Sequence, residues 1–173
     1  LSVYAQTKWQ GEKSVVSANS QALVARVNFY GWSVSGTRSL AEFFANNLAQ
    51  GKPLKGFNDV VFCPMMVLDL ADMLLEAAAK GLQGIYHLVG PEPMSKFVFG
   101  TAIARKFGFD AELITPVSVN DGGLVAARSH NLSLNTAKIA GALGHALPSF
   151  ENGLDKFHKQ YLQGYPRYLK NLS

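Results

Sequence analysis

At 173 residues, with 48% hydrophobic and 16% charged side chains, the chain has the length and apolar content of one packed globular domain, which excludes a disordered chain. No apolar run approaches the roughly 20 residues that cross a bilayer, so no membrane partner is expected, and the first residues carry no signal-peptide pattern. The sole cysteine, Cys63, rules out an internal disulfide and fits a reducing, cytoplasmic compartment, while the net charge of +4 is scattered along the chain and can help hold an anionic small molecule.

Residues 2–18 have helical spacing and no proline, and Ala22 to Val27 reads as a buried strand running into the loop Asn28-Phe29-Tyr30-Gly31. A helix is predicted over Leu40 to Gln50, stopped by Gly51 and Pro53, followed by a short strand over Asp59 to Phe62. After the break at Pro64, VLDLADMLLEAAAKG is the clearest helix. Leu70, Met73, Leu74 and Ala77 form its apolar stripe, and Asp69 serves as N-cap or first-turn acid. GIYHLVG (84–90) is a buried strand, Ser95 caps the helix KFVFGTAIARKFG, and ELITPVSV is a further strand. A polar loop at 120–123 leads to short helices at Thr136 to Leu143 and Phe150 to Leu162. This alternation predicts an α/β protein with a mostly parallel sheet, and the final third reads as a small α+β lobe.

Several residues invite chemical roles that simpler readings cover. Asp69 and Asp72 are expected as a capping acid and a solvent-exposed acid rather than a catalytic pair. His87 lies inside an apolar strand and reads as a hydrogen-bonded core histidine. His130, His145 and His158 have no metal-ligand spacing and Cys63 has no partner, so no metal site is predicted. Ser95 has no Gly-x-Ser-x-Gly elbow and reads as a cap. The basic residues Lys156, Lys159, Arg167 and Lys170, interleaved with Tyr161, Tyr165 and Tyr168, read as a solvated helix face and tail, so no nucleic-acid partner is expected.

Tyr4 and Lys8 stand apart from these. Four residues apart on a helix, their side chains share a face at about 5–6 Å between Cβ atoms. A cation beside a phenol favours the phenolate, and a phenol so placed can act as general acid or base toward a carbonyl or alcohol. The spacing alone also arises by coincidence in chains of this composition.

Its surroundings are more specific. YAQTKWQGE resembles the Tyr-x-x-x-Lys segment of extended short-chain dehydrogenases/reductases, including the ending Gly11-Glu12. VARVNFYG looks like the strand and loop lining nicotinamide and sugar in that superfamily. The stretch from Cys63 to Asp110 looks like the second half of the dTDP-4-dehydrorhamnose reductase family, and ARSHNLSLNTAKIAGALG is similar to that family's late Arg-x-x-x-x-Ser-x-x-x-x-Lys stretch. The resemblance covers about 150 residues in order.

It implies the C-terminal part of a Rossmann-like doubly wound parallel sheet plus a small α+β substrate lobe, with 1–60 and 69–90 as the remnant of the Rossmann half and 91–173 as mainly substrate lobe. Tyr4 then matches the proton donor, and Lys8 the lysine that assists it and holds the nicotinamide ribose, which makes both catalytic and cofactor-binding residues. Asn28, Phe29 and Tyr30 match the segment beside the nicotinamide and hexose, with Asn28 also toward substrate; Phe29 and Tyr30 have plain core aromatics as the alternative. Arg128 matches a position that meets nucleotide phosphates, with a surface ion pair as the alternative. The implied reaction is reduction of the keto group of a nucleotide-activated sugar of the dTDP-4-dehydro-6-deoxyhexose type by NAD or NADP. Epimerase or dehydratase chemistry of the same superfamily and a non-catalytic binding or regulatory subunit remain open.

None of the 16 glycines forms Gly-x-Gly-x-x-Gly or Gly-x-x-Gly-x-x-Gly, the turn that lets a pyrophosphate approach a helix N-terminus. The superfamily's catalytic Ser or Thr precedes the tyrosine, and Ser2 is too close to be it. The expectation is the C-terminal part of a longer reductase, inactive on its own. Its uncovered apolar face and sheet edge would make it self-associate as a homo-oligomer, with strand exchange as one route.

Overall fold

The computed structural model describes residues 2–121 and 129–172. Ser2 accepts a hydrogen bond from the Ala5 amide and starts helix α1 (Val3–Ala18), which buries none of its residues. The helix is tied to the following strand β1 (Leu23–Val27) by one bidentate ion pair: Arg26 donates from Nε and Nη2 to the two Glu12 oxygens at 2.9 and 2.7 Å. That fork geometry fixes direction as well as distance.

β1 runs parallel to β6 (Gly84–Leu88), with Leu23 opposite Gly84 and Val27 opposite Leu88. At Asn28 the chain changes partner. The Asn28 carbonyl accepts from the Met65 amide at 3.0 Å, and β2 (Phe29–Tyr30) continues parallel to β5 (Met65–Met66). β3 (Leu54–Phe57) pairs in parallel with β8 (Ile114–Val117). β4 (Val61–Phe62) lies between β9 (Asn131–Leu132), to which it is parallel, and β7 (Met94–Ser95), to which it is antiparallel. The molecule is thus mixed α/β with parallel pairing dominant, divided into short two- and three-stranded pieces.

Helices fill the space between these pieces. α2 (Leu40–Leu48) opens on a capping box, with Ser39 Oγ accepting from the Glu42 amide and Glu42 accepting from the Ser39 amide. α2, α4 (Lys96–Phe107) and α6 (Phe150–Leu162) enclose an aromatic core of Tyr30, Trp32, Phe44, Phe62, Phe99 and Phe157. Phe99 sits at its centre, its ring 5.2 Å from Tyr30 and 5.3 Å from Phe62, both edge-on. Gly100 lets α4 approach α2, since a Cβ there would lie 2.4 Å from the Phe44 ring. A second cluster, with Leu70, Met73 and Ala77 from α3 (Val67–Ala79), Leu88, and Ile139 and Leu143 from α5 (Ala137–Leu143), packs beneath β6. The chain closes with α7 (Tyr165–Lys170).

The structure revises several sequence expectations. β3 and β5 have no counterpart among the predicted elements, because Lys55 and Gly56 interrupt one apolar pattern and Pro64 reads as a break before the other. The strand expected over 112–119 narrows to β8, because Asp110 caps a 3₁₀ turn at Ala111–Leu113. Asp69 is in the first turn of α3 but is 2% exposed, and the α3 N-cap is Met66 with no side-chain bond. Asp69 is therefore a buried acid, ion-paired with Lys156 of α6. His87 Nδ1 lies 2.9 Å from the Asn135 carbonyl and the ring is half-buried.

Candidate active site

α1 presents Tyr4 and Lys8 on one face, one turn apart. Lys8 Nζ lies over the Tyr4 ring, 5.7 Å from its centroid, and Tyr4 is 73% exposed. Among the described residues, neither the Tyr4 hydroxyl nor Lys8 Nζ has a hydrogen-bond or ion-pair partner, so both are open to an incoming group. Lys8 also lines a shallow groove of about 390 Å³ with Ala5, Trp9, Glu12 and Arg26, between the helix and β1. Arg26, first by its hydrogen bond and then by its charge, holds the Glu12 carboxyl below the usual carboxylate range, and Glu12 raises Arg26 in turn. The Gly11-Glu12 ending thereby acquires a physical role, since Glu12 sets the position of the helix that carries Tyr4 and Lys8.

The second part of the site lies beyond the carboxyl end of β1. In parallel sheets this is where ligands settle, at the point where strand connections change. Asn28 occupies that switch, and its Nδ2 donates to the Leu132 carbonyl at 3.3 Å. Phe29 projects outward at 57% exposure. Tyr30 turns the other way, 1% exposed within the aromatic core, so its side chain is a core aromatic and only its backbone faces the loop. Burial, and then the Asp69 charge, push the Tyr30 phenol pKa well up, and its hydroxyl has no hydrogen-bond partner among the described residues. No hydrogen bond, ion pair or ring contact among the described residues joins Tyr4 or Lys8 to Asn28, Phe29 or Tyr30. Arg128, the expected phosphate contact, lies outside the described residues.

The loop after Gly31 is the part that sequence reasoning missed. Glu42, fully buried, accepts from the amides of Ser33, Arg38 and Ser39 at 2.6, 2.9 and 2.9 Å and from Ser33 Oγ. Ser39 Oγ donates to the Gly31 carbonyl at 2.7 Å. One carboxylate thus folds residues 31–39 against β2 and sets Arg38 beside Phe29 and Trp32 in a groove of about 360 Å³. The signal was present in the sequence: Ser39-Leu40-Ala41-Glu42 is a capping-box pattern.

The fold is mixed α/β with parallel pairing dominant, and the exposed Tyr4/Lys8 pair and the strand end at Asn28 are its candidate site residues. The chain matches the RmlD substrate binding domain over residues 1–163 and belongs to that family. It is 29% identical over 154 residues to the probable low-salt glycan biosynthesis reductase Agl14 of Haloferax volcanii, covering 87% of this chain and 51% of the relative. With the dTDP-4-dehydrorhamnose reductase of Mycobacterium tuberculosis H37Rv it shares 28% identity over 139 residues, 80% of this chain and 45% of that protein. The fold is similar to the crystal structure of dTDP-4-dehydrorhamnose reductase from Bacillus anthracis in complex with NADP, with TM-score 0.84 and 22% identity over 92% of this chain and 56% of that one. The chain therefore spans about half the length of the relatives it matches.

Proposed function

We propose that these residues form the C-terminal part of a reductase that converts the keto group of a nucleotide-activated sugar, of the dTDP-4-dehydro-6-deoxyhexose type, to an alcohol. The observation that carries this reading is the Tyr4–Lys8 pair, with Lys8 Nζ over the Tyr4 ring and neither polar group otherwise partnered among the described residues, in a chain whose family includes sugar-nucleotide reductases.

NAD or NADP would supply the hydride to the carbonyl carbon. Lys8 and the exposed loop at Asn28 and Phe29 are the residues here that fit a nicotinamide riboside, since Lys8 Nζ is uncommitted and Phe29 offers an open apolar surface. The glycine-rich turn for the pyrophosphate is not in this sequence and would come from a preceding segment. Tyr4 donates its proton to the carbonyl oxygen as that oxygen gains charge, and the resulting phenolate is stabilised by the Lys8 ammonium one helical turn away. Solvent then reprotonates Tyr4, which its exposure permits. Residues 1–60 and 69–90 belong on this reading to the cofactor half and 91–173 mainly to the substrate lobe.

Two corollaries belong to the proposal. Alone, the 173 residues have no cofactor cradle and catalyse no measurable reduction. Alone, they also expose Val3, Trp9 and Val15 of α1 and Val27 and Ile85 of the β1–β6 pair, a surface that favours homo-oligomers. Among the described residues no helix is long and apolar enough to cross a membrane.

The test is an assay of NADPH oxidation with a dTDP-4-dehydro-6-deoxyhexose, using the longer reductase that carries these residues. Reduction that Tyr4→Phe lowers by about a hundred-fold or more is the expected result. Reduction that proceeds equally with phenylalanine at position 4 would refute the assignment.

A further inference from the structure

The loop at 31–39 carries a charge that its own architecture leaves uncommitted. Arg38 stands beside a fully buried carboxylate, Glu42, yet its guanidinium does not pair with it. Glu42 is already saturated by three backbone amides, one of them that of Arg38 itself, and by the Ser33 hydroxyl. Among the described residues no other acid pairs with Arg38. The loop is therefore held in one conformation by Glu42 while the Arg38 fork remains available, and the order needed to position it is supplied before any ligand arrives.

What the fork faces is concave and partly apolar. Beside Arg38 the groove is lined by Phe29, Trp32, Leu40 and Val67. Gly31 lets Val67 pack against the backbone there, because a Cβ would lie 2.5 Å from Val67 Cγ1. Trp32 is fixed by its indole N–H, which donates to the Phe157 carbonyl at 3.1 Å, and by stacking on Phe157 with ring centroids 4.1 Å apart. A phenylalanine 57% exposed in the lining of a groove that also holds a guanidinium with no acid partner among the described residues calls for a ligand with an apolar ring face next to an anion. A volume of about 360 Å³ accommodates a hexose and one phosphate.

We infer that Arg38 is a phosphate-binding residue: its guanidinium grips the hexose-linked phosphate of the sugar nucleotide, beside the apolar surface of Phe29, with Glu42 as the positioning residue that presents the fork. The identity of the ligand rests on the function proposed above; the anion site at Arg38 rests on the loop geometry.

Calorimetric titration of the 173-residue chain with dTDP and with thymidine, paired with amide chemical-shift mapping, tests this. The expected result is that Arg38→Met weakens dTDP binding by about ten-fold or more, the loss of a charge-assisted contact, while thymidine binding is unchanged and Arg38→Lys recovers part of the loss. Shifts on adding dTDP should concentrate at residues 29–40. Because the Arg38 side chain is exposed and its backbone amide is untouched, Arg38→Met retains the fold. Equal dTDP affinity in wild type and Arg38→Met, shifts elsewhere in the chain, or no dTDP binding at all would each overturn the inference. The longer reductase separates this from the reaction. Turnover with an unaltered KM in Arg38→Met removes the Arg38 site and leaves the reductase. Arg38-dependent dTDP binding without any keto-sugar reduction removes the reductase and leaves the site.

Discussion

Tyr4 and Lys8 owe nothing to the core, so their substitutions separate chemistry from folding. Tyr4→Phe is expected to lower keto-sugar reduction by about a hundred-fold or more, since a positioned acid contributes roughly 10²–10⁴, while stability changes by less than about 0.5 kcal/mol. Thermal unfolding and steady-state kinetics on the same samples check both halves. Gly100 shows the opposite dependence, because its missing Cβ is a packing requirement. Gly100→Ala brings a methyl to 2.4 Å from the Phe44 ring and should destabilise by about 1–3 kcal/mol in denaturant titration, by overpacking between α2 and α4. Glu12 acts through its ion pair. Its carboxyl is held low in the folded chain by Arg26, so its contribution is present at neutral pH and is lost as pH falls through and below the ordinary carboxylate range. Amide protection in α1, corrected for intrinsic exchange, should therefore fall between about pH 5 and pH 3, and Glu12→Gln should show the lower protection already at neutral pH. The ion pair itself is worth about 1 kcal/mol, given that Arg26 remains partly solvated.

At the scale of elements, the capping box of α2 does two jobs with one carboxylate. It satisfies the helix start and it folds the loop that presents Arg38. Glu42→Gln keeps one acceptor oxygen and turns its NH₂ toward either the Ser33 amide or the Arg38 and Ser39 amides, and should cost about 2–3 kcal/mol, with exchange rising first in 33–39. The segment after α5 is held to α3 by His145, whose ring nitrogens face the Ala146 carbonyl and a Glu76 oxygen, each at 2.9 Å. The carbonyl bond first, and then Glu76, raise the His145 pKa. Its tether is complete below the ordinary histidine value and weakens as pH rises through the elevated one. An NMR titration should place the His145 midpoint above about 6.5, and Glu76→Gln should bring it down. Which elements could be read from sequence follows from what holds them. α3 and β6 carry their own apolar pattern, α4 adds the Ser95 cap and the closing Gly108, and all three are legible to within a residue or two. β3 and β5 form only because partners from distant segments pair with them, and no local pattern in LKGF or MM announces that pairing. That Tyr4 and Lys8 share a helix face is legible from i,i+4 spacing, whereas the chemical role proposed for them rests on the resemblance of the surrounding segment. The Arg38 groove escapes a sequence reading because it needs Glu42, Gly31, Trp32 and Val67 together, and only the fold assembles them. Tyr30 shows the converse, since strand alternation sends it into the core while Phe29 points out.

At the scale of the whole molecule, packing is uneven. The aromatic core under α2, α4 and α6 is complete, whereas α1 buries no residue and β1 pairs on one side only among the described residues. Sedimentation of the isolated chain should show oligomers that dissociate on dilution, and Trp9→Glu on the exposed face of α1 should shift them toward monomer; a monomer at every concentration would contradict the reading of that face. The proposed chemistry meets its most direct test in the longer reductase. There, single-turnover conversion of a dTDP-4-dehydro-6-deoxyhexose with NADPH should proceed with wild-type Tyr4 and Lys8, fall about a hundred-fold or more in Tyr4→Phe, and leave nucleotide affinity unchanged. Conversion at the wild-type rate in Tyr4→Phe would contradict it.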